Sequence, residues 1–236
     1  MGNEWTLAAE LQKLARRDSL VESLRHLGVI AETSPCPVIS EDSEWVRGGT
    51  ETYIYRFWLH ENAAEPLNQG FIIKACVAFS FGSELEEILL SWVERRKLLA
   101  AFGISTPKLY AFGEGVILEE LIPYPLEELA RSSRRIEQSL LIQLAQLAAA
   151  YSHYGFKPIR GFSDLRSRGQ DVVVVDFGED IGPPSMKNSS SQEILAQLFE
   201  QLSTWGVELS TEIQTETSRA FHAFLQATQL DIKEGS

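Results

Sequence analysis

Three short stretches of this chain carry residue types that handle phosphate. The first is Arg47-Gly48-Gly49-Thr50-Glu51-Thr52-Tyr53, a turn between two strand-like runs. Glycines let backbone N–H groups come close to a phosphate, because no Cβ stands in the way. The same pair also makes an ordinary hairpin. The second stretch is Phe71-Ile72-Ile73-Lys74-Ala75. A lysine in an apolar strand must carry its ammonium to a partner or to water. Glu94, twenty residues on, is the expected partner, with Glu87 as the second choice. An ammonium held that way faces the α/β-phosphates of a nucleotide. The plain alternative is an edge-strand lysine with a solvated head. The third stretch is Val172-Val173-Val174-Val175-Asp176-Phe177-Gly178. Here a buried strand delivers a carboxylate into a turn, where it can hold Mg²⁺ against phosphates. The alternative is a strand that ends in an Asx-turn.

The elements that must position these residues follow from periodicity. Leu7, Leu11, Leu14, Leu20, Leu24 and Leu27 predict one or two helices over residues 4 to 28, stopped by Gly28. Thr50 to Leu59 alternates and Phe71 to Phe79 is densely apolar, so both read as strands. A loop around Pro66-Leu67-Asn68-Gln69-Gly70 joins them. Residues 83 to 102 predict a helix with Ser83 as cap, Glu86 in capping-box position and Gly103 as terminator. Two short strands follow, about 107 to 112 and 115 to 121, and Pro123 and Pro125 then punctuate the chain. Beyond them Ile136, Leu140, Leu141, Leu144, Leu147, Ala148 and Tyr151 share one helical face that ends at Gly155. A polar loop spans 156 to 171, and the four valines must be buried on both faces. Two further helices are expected over about 190 to 205 and 211 to 229.

Taken in order, the glycine turn, Ile72-Ile73-Lys74, the helix glutamate, the proline-marked linker and Asp176-Phe177-Gly178 resemble the protein-kinase and aminoglycoside-phosphotransferase superfamily. The run from Trp92-Val93-Glu94-Arg95-Arg96 through Gly103-Ile104-Ser105-Thr106-Pro107 to Tyr110 is similar to the aminoglycoside-phosphotransferase branch. So is Val116-Ile117-Leu118-Glu119-Glu120-Leu121-Ile122-Pro123, which resembles that branch's last N-lobe strand and linker. The resemblance covers about residues 45 to 205. It implies an α+β, two-lobed protein-kinase-like fold with a strand-rich N-lobe and a helical C-lobe. The corresponding divisions are a helical extension over 1–35, an N-lobe over 36–122 and a C-lobe over 123–236. It also implies an enzyme that uses ATP and Mg²⁺ to phosphorylate a hydroxyl on a small molecule or peptide. By that match Gly48, Gly49 and Thr50 form the phosphate loop and Lys74 holds the α/β-phosphates. Glu94 orients Lys74, Glu120 to Ile122 present backbone to adenine, and Asp176 binds Mg²⁺.

The catalytic loop departs from the family's His-x-Asp with Asn five residues after the Asp. Phe162-Ser163-Asp164-Leu165-Arg166 can be laid over His-Arg-Asp-Leu-Lys, which leaves Gly169 where the Asn belongs. Only eleven residues then separate Asp164 from Asp176, too few for the usual strand hairpin. Anchoring on the helix end instead puts Arg160 and Leu165 at the two positions, and neither can act as base or metal ligand. Three outcomes stay open. Asp164 is the base, accepting the acceptor hydroxyl's proton. Transfer runs on positioning and electrostatics without a base. Or the chain is a pseudokinase, a nucleotide-binding or regulatory module without transfer.

Charge and composition bound the partners. With 236 residues, 44% of them hydrophobic, the chain can bury a real core. A net charge of −12 speaks against nucleic acid and against anionic membranes. Yet residues 131 to 168 carry +5, from Arg131, Arg134, Arg135, Lys157, Arg160, Arg166 and Arg168 against Glu137 and Asp164. That patch either binds an anionic acceptor or is a solvated face. Cys36, Cys76 and four scattered histidines show no metal-ligand spacing. His153, near a helix end, is expected to be structural. The start of the chain lacks a basic segment followed by an apolar one, and a cytoplasmic location is expected.

Overall fold

The computed structural model describes Arg25 and residues 38–39, 44–48, 52–62, 65–76, 85–113, 116–158, 162–178, 181–182 and 190–234. Apart from Arg25, the helices expected over 4 to 28 lie outside the described residues. So do Gly49, Thr50, Ser83, Arg160 and Asp180. The fold class is α+β. Two compact units divide the chain: residues up to Val93 with Pro107–Leu121, and Glu94–Thr106 with Ile122–Ser236.

The first unit is built on one antiparallel sheet. Its strands are β1 (Val38–Ile39), β2 (Glu44–Gly48), β3 (Thr52–Asn62), β4 (Glu65–Cys76), β5 (Leu109–Gly113) and β6 (Val116–Glu120). The order is β1-β3-β4-β6-β5, and β2 also pairs with β3. Alternation puts Tyr55, Phe71, Ile73, Val116 and Leu118 on one buried face. The expected loop at Pro66 to Gly70 is strand instead: β4 begins at Glu65, which pairs with Asn62. Pro66 stands opposite His60, where the ladder shifts register on both sides. Such a bulge tolerates proline's missing donor, so the Pro-Gly punctuation did not break the strand.

Helix α1 (Leu85–Ala101) is divided between the units after Val93. Its end is fixed by Gly103 at φ +83. The Gly103 N–H donates to the Ala100 carbonyl and the Ile104 N–H to the Leu99 carbonyl, both at 3.0 Å, which is a Schellman motif. A Cβ on Gly103 would stand 2.9 Å from Nε2 of Gln146, whose amide donates to the Phe102 carbonyl. Gly103→Ala is therefore expected to lower stability by about 1–3 kcal/mol, measured by denaturant unfolding.

The second unit is mainly helical: α2 (Leu126–Ser133), α3 (Gln138–Tyr154), α4 (Ser191–Thr204) and α5 (Thr211–Glu234). Helix α3 buries the predicted leucine stripe, together with Ala145 and Ala148–Tyr151, and ends in a second Schellman turn at Gly155. Helix α2 was not expected; its eight residues are too few for periodicity to speak. The polar loop over 156 to 171 is corrected too. It contains β8 (Lys157–Pro158), paired with β11 (Ile181–Gly182), and β9 (Leu165–Arg168), paired with β10 (Asp171–Val174) and β7 (Tyr124–Pro125). Eleven residues do hold a hairpin, because Arg168 and Asp171 pair across a two-residue turn with Gly169 at φ +66.

An aromatic cluster gathers at the C-terminal end of α3. Tyr154 packs on His153 and Phe156, and Phe102 on both His153 and Tyr154. Desolvation raises the Tyr154 phenol above its ordinary value near 10. A raised folded-state value means the native state keeps its proton longer than the unfolded chain. Stability from this group is thus present below pH 10 and is lost as pH climbs above it. Alkaline titration of the unfolding midpoint should be flatter in Tyr154→Phe.

Candidate functional site

Lys74 lies in β4 with Ile54 opposite on β3 and Ile117 opposite on β6. Glu119, two residues past Ile117, shares its face of the sheet and is its diagonal neighbour. The ammonium meets Oε1 of Glu119 at 2.7 Å, with the side chains 12% and 2% exposed. The sequence pointed to Glu94 as partner; Glu94 is exposed on α1. Glu119 escaped notice because a cross-strand diagonal requires the register, which spacing along the chain does not give.

Gly48, at the start of the glycine run, and Glu120 of the linker belong to the same sheet. Gly48 pairs with Thr52, Thr52 with Cys76, and Glu120 with Phe71. Along β4 the lysine therefore stands about 7 Å from the level of Gly48 and Thr52 and about 10 Å from the level of Glu120. The backbone of Glu120 to Ile122 is partly committed. The Glu120 N–H donates to the Lys108 carbonyl and the Leu121 N–H to the Gly70 carbonyl. The Glu120 carboxylate accepts from the Lys108 N–H at 2.9 Å. Among the described residues, the Ile122 N–H carries no hydrogen bond.

In the second unit β10 is buried through Val172, Val173 and Val174 and ends there; Val175, expected to be buried with them, lies outside the strand and is half-buried, immediately before Asp176. Two contacts hold the strand. Ser105, reached through the Gly103 turn, bridges Val173 and accepts from the Val174 N–H at 3.1 Å. Gln143 of α3 donates to the Gln170 carbonyl and accepts from the Val172 N–H, both at 2.8 Å. The turn beyond is an Asx-turn, with Oδ1 of Asp176 accepting from the Gly178 N–H at 2.9 Å. Two arginines of α1 fasten it. Arg95 donates to the Phe177 carbonyl at 2.8 Å and the Gly178 carbonyl at 2.6 Å. Arg96, only 7% exposed, lies over the Phe177 ring at 5.4 Å. Neither arginine stood out in the sequence except inside a resembling block. Arg95→Met removes two charge-assisted bonds and should cost about 1.5–3 kcal/mol for each. Faster amide exchange at Gly178 would report the same loss locally.

Asp164 is exposed, and the Ser163 hydroxyl donates to its carboxylate at 3.1 Å. Gly169, aligned with the missing Asn, is spent in the hairpin turn. The basic segment is partly structural. Arg166 donates to the Ile122 and Pro123 carbonyls, Arg168 to the Thr106 carbonyl, and Arg131 pairs with Glu127. Arg134 and Arg135 are exposed.

Among the described residues no group of three or more His, Cys, Asp and Glu side chains could hold a metal by itself. Asp176 fits Mg²⁺ in a narrower way, since this ion takes one or two carboxylates and fills its shell with water and phosphate oxygens. Its Oδ2 is the oxygen not used by the Asx-turn. Among the described residues no helix is long and apolar enough to cross a membrane. No protein-family model matches the chain, and no curated protein does.

Proposed function

We propose that the protein is a kinase-like module that takes ATP with Mg²⁺ and moves the γ-phosphate to a hydroxyl of a small molecule or peptide. One observation carries this reading. Gly48, Lys74 and the linker strand share one sheet, at intervals that suit the phosphates and base of a single nucleotide. Lys74 is the phosphate-binding cation and the Ile122 N–H the backbone donor for adenine. Asp176 would hold Mg²⁺, and the ion would neutralise charge on the transferred phosphoryl group. A cytoplasmic setting suits such a substrate.

A second reading is a nucleotide-binding or regulatory module without transfer. It is favoured by the Lys74–Glu119 pair and by Gly169 at the position of the missing Asn. Transfer of labelled γ-phosphate to a broad acceptor panel separates the two. Turnover in wild type that vanishes in Asp176→Ala supports the enzyme. Thermal stabilisation by ATP and Mg²⁺ with no turnover supports the module. Neither response would reject both.

A further inference from the structure

The Lys74 ammonium already has an anion, and that anion is part of the fold. Glu119 comes from β6, which lies inside the sheet between β4 and β5. Its neighbours on that face, Ile72 and Ile117, are buried. A carboxylate only 2% exposed has almost no water to carry its charge, and the ammonium 2.7 Å away helps to balance it. A phosphate oxygen brought to the same ammonium would approach this carboxylate. Like charges repel most strongly where little solvent screens them.

We infer that Glu119 is a built-in counter-ion that restricts the Lys74 site against polyphosphates, and so sets how tightly the protein takes a nucleotide. This rests on Lys74 being the phosphate-binding cation, and it adds the residue that limits that role. Glutamine at 119 keeps the shape and leaves an amide oxygen to accept from the ammonium, but removes the negative charge.

The test is calorimetric titration of inorganic triphosphate, and separately of ATP, into wild type, Glu119→Gln and Glu128→Gln. Glu128 is an exposed residue of α2, and its change alters net charge equally. Glu119→Gln should bind inorganic triphosphate at least about tenfold tighter than wild type, as expected for relief of a close charge contact. Glu128→Gln should match wild type. Equal or weaker binding by Glu119→Gln overturns the inference, and the nucleotide reading survives if wild type still binds ATP. Tighter triphosphate binding with no ATP binding in any variant sustains the inference and rejects the nucleotide reading. If no variant binds either ligand, both fall. Should Glu119→Gln unfold alone, inorganic triphosphate should restore its folding, and failure to do so overturns the inference.

Discussion

Lys74→Met should destabilise the protein by about 3–5 kcal/mol, far more than loss of a solvated lysine would. Removing the ammonium takes a charge partner 2.7 Å away from a carboxylate that is only 2% exposed. Glu119→Gln should cost less, because its amide oxygen still accepts from the ammonium. The double change Lys74→Met with Glu119→Gln should recover much of the loss, because a neutral pair no longer places a charge in the buried sheet. Denaturant unfolding of the four proteins gives the interaction directly as a double-mutant cycle. Additive losses would mean that the pair is not coupled. The consequence for function is practical: Lys74→Met alone cannot separate loss of phosphate binding from loss of fold.

The second large effect concerns Asp164. If it is the base that accepts the hydroxyl proton, Asp164→Asn should slow transfer about 10²–10⁴-fold with little change in nucleotide affinity. Its exposure makes this variant structurally mild. Single-turnover transfer against a fixed acceptor measures it. A change of less than about threefold would remove Asp164 and leave transfer governed by positioning and electrostatics.

Much of the helical unit was legible because its signals are local. The leucine stripe of α3, its stop at Gly155 and the buried valines of β10 follow from periodicity and from one glycine. The β9 hairpin was hidden by its composition. In Leu165-Arg166-Ser167-Arg168 only Leu165 is apolar, yet Ser167 is buried beside it, its hydroxyl donating to the Gly169 carbonyl. Two arginines dominate the run and suggest a charged loop. Glycine at the turn was the available clue, since a two-residue hairpin favours positive φ. At the candidate site, Lys74 and Asp176 could be picked out as residues that need an explanation. Their partners could not. Glu119 reaches Lys74 through strand register, and Arg95 reaches the Asp176 turn across 82 residues of chain.

The most direct measurement is titration of ATP into the wild-type protein with and without Mg²⁺, repeated on Asp176→Asn. The account predicts saturable binding that strengthens with Mg²⁺ in wild type and loses that strengthening in Asp176→Asn. No binding at millimolar ATP, or binding whose Mg²⁺ dependence is the same in both proteins, would contradict it.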